Sequence, residues 1–352
     1  METISAPRPS ARVRAVDLAK CFAIFFVLLI HAGSDVLRYA PVGSIHWLSG
    51  LFWGSISRSA VPLFLLCSGA LLLDRERPIS ARHIWRRNIP HMVMALFFWA
   101  AAYKAIGLLT SGNLTADALL GALRNWLLWQ HEGHLYYLPI ILLVYAALPL
   151  TRTFTAHADT KMVRYFLVFW AASGVLLPSL RALGLLQAFG GIVQQWALPM
   201  AWSAIGCTVL GDALRRRPCS VRCAVWMFAG GFLLCFAGTW LCSARAGGLK
   251  TPFLEGFSPG PCLMAAGMFS LCEALAPRLN ARLNTAAERL SRASFCIYLV
   301  HIAVLRLLNG IGLRPGWHPL LTVPALAVLC GAGSYLLYLP LSRIPWVRRW
   351  LI

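Results

Sequence analysis

The stretch KCFAIFFVLLIH, Lys20 to His31, sets a cation and an imidazole at the two ends of an otherwise apolar run. On an α-helix these side chains project from nearly one face, ~16 Å apart along the axis. That is about half of the ~30 Å hydrocarbon thickness of a bilayer. An imidazole exchanges protons near neutral pH, which suits it to general base work. Two further apolar segments carry groups of related kind: Arg58 in SISRSAVPLFLLCSGALLLDR and His301 in SFCIYLVHIAV. Asp35 follows His31 by one helical turn, and His134 opens the HLYYLP segment. Arg86 and Arg87, in WRRNIPHM, add a pair of guanidinium groups able to grip phosphate in a fork.

Such groups need elements to hold them, and the composition says of what kind. Only 12% of the 352 residues are charged and 59% are apolar; the mean hydropathy is +0.67. A soluble chain carries about 25% charged residues, so this is an all-α, polytopic membrane helix bundle. The net charge of +20 resides in short loops between apolar runs, not in a stripe on a soluble face, which excludes a nucleic-acid reader. The eleven cysteines contain no CxxC pair and read as small hydrophobes; no metal site is expected. The apolar core after the basic N-terminus resembles a signal peptide, but it leads into a polytopic chain and reads as an uncleaved first span.

Ten spans are expected, at about 19–38, 50–73, 88–109, 135–151, 164–183, 195–213, 221–243, 258–276, 291–311 and 318–340. Each is near the ~20 residues that a helical span requires; the fourth and eighth are the shortest fits. Ala116 to Trp129 is amphipathic and Trp-rich and suits an interfacial helix. Arg8, Arg12, Arg14 and Lys20 fall on one side, with the Arg75–Arg87, Arg152–Arg164, Arg215–Arg222, Arg278–Arg292 and Arg343–Arg349 clusters. Arg38, Lys104, Arg124, Arg181, Arg245, Lys250, Arg306 and Arg314 fall on the other. This bias places both termini in the cytoplasm. Residues 1–18 are then a cytoplasmic tail, 19–340 one membrane domain, and 341–352 a second cytoplasmic tail. No internal repeat and no appended soluble module is apparent.

Depth then relates the polar groups. His31 lies ~18 Å in from the cytoplasmic start of its helix, and Arg58 ~12–15 Å from the outer surface. His301 is again near mid-depth, while His134 is expected at the outer surface. A buried arginine in a membrane faces a protein interior or a wet cavity. Arg58 and Asp35 therefore form either a structural pair or part of an outward-open polar cavity centred on His31. Arg86 and Arg87 serve either topology and anionic lipid or a phosphorylated donor. No GxSxG, Walker, GxGxxG or HExxH motif is present, and His131 with His134 does not make a zinc motif. A reaction run by a histidine and cations, with substrates from two sides, fits these residues best.

Five segments, in order, resemble the acyltransferase-3 family of integral-membrane acyltransferases, particularly its stand-alone bacterial surface-glycan O-acetyltransferases. AVDLAKCFAIFFVLLIHA resembles the first-helix signature of a basic residue followed by histidine. SRSAVPLFLLCSGALLL resembles the "VPxFFxxSG" segment, RRNIP the basic start of the third helix, HLYYLPIILLVYAALPL the "HLWFL" segment, and LSRASFCIYLVHIAVL the late "YLxH" helix. The signature's basic residue is commonly arginine and is Lys20 here. Of the two arginines that the family places three apart before the third helix, Arg87 matches the second; Ile84 occupies the first position, leaving Arg86 or Arg82 to substitute.

The resemblance implies an acyl-CoA donor, usually acetyl-CoA, entering from the cytoplasm, with no permanently bound cofactor. The acceptor it implies is a sugar hydroxyl of a surface or lipid-linked glycan, and the setting is the bacterial inner membrane. Lys20, Arg86 and Arg87 would hold the CoA phosphates; His31, Arg58 and His301 would be the catalytic set, with His31 as general base and Arg58 steadying the oxyanion. Asp35, His134 and Tyr136 would contact the acceptor. Direct transfer and an acyl-histidine relay both remain open. So does an acceptor other than sugar. The rival class is a transporter or flippase of a lipid-linked glycan, against which the expected absence of repeated halves and broken helices counts.

Overall fold

The computed structural model describes residues 13–77, 79–189, 195–313 and 318–352; Arg8, Arg12 and Arg314 lie outside them. The described chain is helical. Its elements are α1 (Arg14–Tyr39), α2 (Ile45–Ile56), α3 (Ala60–Leu72), the short α4 (Ala81–His83), α5 (Ile89–Ser111), α6 (Ala116–Leu127), α7 (Tyr137–His157) and α8 (Thr160–Trp170). They continue with α9 (Leu177–Ala182), α10 (Met200–Arg216), α11 (Val221–Ala246), α12 (Pro259–Leu275), α13 (Ala281–Gly310), α14 (Pro319–Leu341) and α15 (Pro345–Trp350). Among the described residues nine helical segments are long and apolar enough to cross a membrane. The expected sixth span is the one that falls short, because α10 has only 17 residues. Both of the shortest expected fits, Gly133–His157 and Pro252–Arg278, are long enough. The result is a bundle of roughly ten spans.

α1 sits at the centre, packed by α2, α3, α12, α13 and α14. Its continuous apolar run allows this: Ala19, Ala23, Ile24 and Leu29 are buried on different sides of the helix. It stops at Ala40, which Pro41 forces into the extended region (ψ 146°). Small residues set the tightest contacts, as expected where lipid provides no hydrophobic drive between helices. A Cβ on Gly211 of α10 would stand 2.1 Å from the Leu66 carbonyl oxygen of α3, and one on Gly69 would stand 1.9 Å from that of Thr208. Both neighbours are backbone and cannot yield. Gly211→Ala is therefore expected to lower the thermal midpoint of the detergent-purified protein, since overpacking costs typically ~1–3 kcal/mol. Gly107→Ala in α5, where a Cβ meets nothing within 4 Å, should not lower it. Equal midpoints for the two variants would contradict the close α3–α10 approach.

The helices are not unbroken, contrary to the sequence expectation. The second span divides at Ser57–Ser59. Pro62 has no N–H to return to the Arg58 carbonyl, and Ser57 Oγ instead bonds the Trp53 carbonyl at 2.6 Å. Pro90 acts alike at the head of α5, where Ile84–Asn88 relax into a π-helical turn. Residues 341–352, expected as a tail, contain α15, which packs on α5.

Candidate active site

Three histidines meet in the middle of the bundle. The His31 ring on α1 lies 4.9 Å from that of His301 on α13, centroid to centroid. His134 lies 5.6 Å from His301 and 6.5 Å from His31. His31 and His301 share a depth, as their positions along their spans require. His134 was expected at the outer surface and is instead buried. Lys104 of α5 ties down the segment before α7: the ammonium donates to the Gln130 carbonyl at 2.9 Å and pairs with Glu132 at 3.6 Å. A single 3-10 turn, Gly133–Tyr136, then delivers His134 to the cluster. Tyr298 fastens it there by donating to the His134 carbonyl, and the Tyr103 ring lies edge-on at 4.6 Å. His131 stays outside, packed on Phe97 and Trp129. Burial, and then the Lys104 charge, lower its pKa from the ordinary histidine value, so it is neutral at pH 7.

The hydrogen bonds set a tautomer. His301 Nδ1 stands 2.6 Å from the Tyr298 carbonyl oxygen, which can only accept, so Nδ1 carries the proton. A neutral His301 then presents a lone pair at Nε2. That atom is buried and has no partner among the described residues, and the same holds for His134 Nε2. Tyr298 thus acts twice, orienting His301 through its carbonyl and His134 through its hydroxyl. Tyr298→Phe removes only the second contact, and is expected to lower kcat roughly tenfold with little change in donor KM. A variant indistinguishable from the original would show that His134 needs no fastening.

Arg58 stands at the break between α2 and α3, partly buried, with its Nε in the interior and unpartnered among the described residues. Its electrostatic neighbours are Tyr136, Glu255 and Cys235, and its charge also reaches His31. Asp35 is exposed one turn beyond His31. Among the described residues no group of three or more His, Cys, Asp or Glu side chains is disposed to hold a metal ion.

Three cavities lie in the same part of the bundle. The largest, about 780 Å³, is lined by Arg86, Arg87, His91, Arg348, Arg349 and Trp350. Met92 and Phe295 line the next, of about 180 Å³, and the His91 ring lies 5.9 Å from that of Phe295, so the two adjoin. This middle cavity holds Lys20 at one end and is walled by Val27, Phe64, Tyr137 and Tyr298. Val27, Tyr298 and Tyr137 are each about one turn from His31, His301 and His134 respectively, so the middle cavity ends against the cluster. Beyond it a third cavity of about 380 Å³ is lined by His31, Ser34, Asp35, Arg306, Asn309 and Thr322. Compared with known protein families, residues 13–339 match the acyltransferase domain that defines acyltransferase-3 proteins.

The chain belongs to the acyltransferase-3 family. Neither the curated proteins nor the solved structures compared with it gave a match. In this acyltransferase-3 domain Ile84 is fully buried, so the position before the third helix that lacks arginine cannot be served by turning another side chain into it. Arg86 and Arg87 line the basic cavity and Arg82 does not. Lys20 lies in the adjoining cavity, not in the same one. Sequence reasoning missed Tyr103, Tyr298, Arg306 and Glu255. Tyr298 was available as the tyrosine of YLVH, one turn before His301. Glu255 stood alone before a span, and nothing local ties it to Arg58.

Proposed function

We propose that this acyltransferase-3 protein moves an acyl group, acetyl first among them, from acyl-CoA to a sugar hydroxyl of a surface or lipid-linked glycan. The observation that carries the reading is the line of cavities: basic at one end, largely apolar in the middle, polar at the other, with three imidazoles between the last two. The donor's phosphates suit Arg86 and Arg87, with Lys20 farther in. Its arm suits the middle cavity and would cover the ~16 Å from Lys20 to His31. The acceptor enters from the third cavity, past Asp35, with His134 and Tyr136 near the reacting centre.

In this mechanism His31 takes the proton of the acceptor hydroxyl as that oxygen attacks the thioester carbon. Arg58 faces the oxyanion of the tetrahedral intermediate. The C–S bond then breaks, and the leaving thiolate takes the proton from His31 to give CoA and the ester. The basic end faces the cytoplasm under the positive-inside rule, and the setting is a bacterial inner membrane.

The break at Arg58 favours one rival, because discontinuous helices also build transporter sites, and a flippase of a lipid-linked glycan would use them. Chemistry separates the two. Detergent-solubilised protein has no sides to transport between, so acetyl transfer from radiolabelled acetyl-CoA to a panel of lipid-linked and free glycans is expected of the enzyme alone. Transfer to none of them, with no binding of acetyl-CoA, would give the rival the better case. Transfer confined to non-sugar hydroxyls would replace the acceptor and leave the chemistry.

A further inference from the structure

The last helix lies beyond the family match, which ends at residue 339, yet it is firmly seated. Trp99 Nε1 of α5 donates to the Leu351 carbonyl at 3.0 Å. Leu351 is buried, and Ile352 packs on the core. Seated so, α15 sets Arg348 and Arg349 across the basic cavity from Arg86 and Arg87. No carboxylate lines that cavity, and among the described residues none of the four guanidinium groups is in an ion pair. Charge-biased topology requires cations on one side of a membrane. It does not require two distant segments to turn theirs into one chamber. Four like charges so gathered repel, and a polyanion between them reverses that.

We propose that α15 is the second wall of a polyphosphate site: Arg86 and Arg87 hold one side of a nucleoside polyphosphate, Arg348 and Arg349 the other. Trp350, with the Arg349 guanidinium over its ring at 5.2 Å, sets an aromatic surface beside them for the base. This rests on the acyl-CoA reading and extends it to a part of the chain outside the matched domain. The site also explains how the donor is aligned. With its phosphates held here, its arm can run past His91 and Met92 into the adjoining middle cavity. An anionic phospholipid headgroup presents the same phosphate chemistry, so the test must separate the two sources.

The test compares full-length protein in uncharged detergent with R348Q/R349Q by equilibrium binding of radiolabelled acetyl-CoA. Both arginines are exposed, and the substitutions leave the Leu351 and Ile352 seats intact. The acetyl-CoA dissociation constant is expected to rise roughly 10- to 100-fold, the size of a lost charge-assisted contact. Competition by acetyl-pantetheine, which lacks the nucleotide phosphates, should not change. The R348K/R349K variant should recover part of the loss, since it keeps charge without the fork. Unchanged acetyl-CoA affinity in R348Q/R349Q overturns the proposal and leaves the donor reading standing. Equal losses for acetyl-CoA and acetyl-pantetheine overturn it too, because α15 would then act on the fold. Lost retention on phosphatidylglycerol vesicles with acetyl-CoA binding intact assigns the cavity to lipid and also overturns it. If the original protein binds no acetyl-CoA, the donor reading fails and this proposal fails with it.

Discussion

His31→Ala should lower acyl transfer by roughly 10³-fold while leaving the protein folded and the donor bound, the scale of a lost general base. His31 is the histidine of the cluster that lines the polar cavity, so on the proposed mechanism it is the imidazole that an incoming hydroxyl would meet. It is only partly buried, and its removal opens space continuous with that cavity instead of a sealed void. Two readouts follow from that geometry. Acetyl-CoA affinity should be unchanged, because the basic cavity lies at the far end of the line. Added imidazole should restore part of the rate, since it can enter from the third cavity and stand where the side chain stood. A fall in acetyl-CoA affinity equal to the fall in rate would make His31 a binding residue. Undiminished transfer would remove it from the mechanism.

Much of this arrangement could be read before any coordinate. An apolar run converts directly into depth, because a helix rises by a fixed step and a bilayer has a fixed thickness. That conversion put His31 and His301 at one level, and their rings do meet. It failed for His134, whose depth is set by a loop and not by a helix. The Lys104 clamp on Gln130 and Glu132 and the Tyr298 hydroxyl on the His134 carbonyl are pairings between distant segments, with no period to betray them. The break at Arg58 was legible in part: Pro62 marks a carbonyl four residues earlier that loses its partner. Ser57 adds to it, its hydroxyl sharing the Trp53 carbonyl one turn back with its own N–H. The seat of α15 joins Trp99 to Leu351, residues far apart in the chain, and a C-terminal stretch too short to span, bearing three arginines, reads as a tail.

His301→Phe should lower kcat roughly 10²-fold, and its meaning lies in how that loss combines with the loss of His31. His301 is fully buried, and none of the three cavities reaches it. On the proposed mechanism it is a positioning residue that acts through its neighbour. With its proton held at Nδ1 by the Tyr298 carbonyl, its Nε2 lone pair is free to accept from the imidazole of His31. That contact would hold His31 with its own lone pair toward the acceptor hydroxyl. Phenylalanine keeps a flat aromatic ring, one atom larger, and removes both nitrogens, so the site stays filled while the acceptor is lost. If His301 works through His31, the double variant should be no slower than His31→Ala alone. Added imidazole, which enters the third cavity, should not rescue His301→Phe. Losses that multiply in the double variant would make the two histidines independent, and a lowered thermal midpoint that accounts for the loss would make His301 a packing residue only.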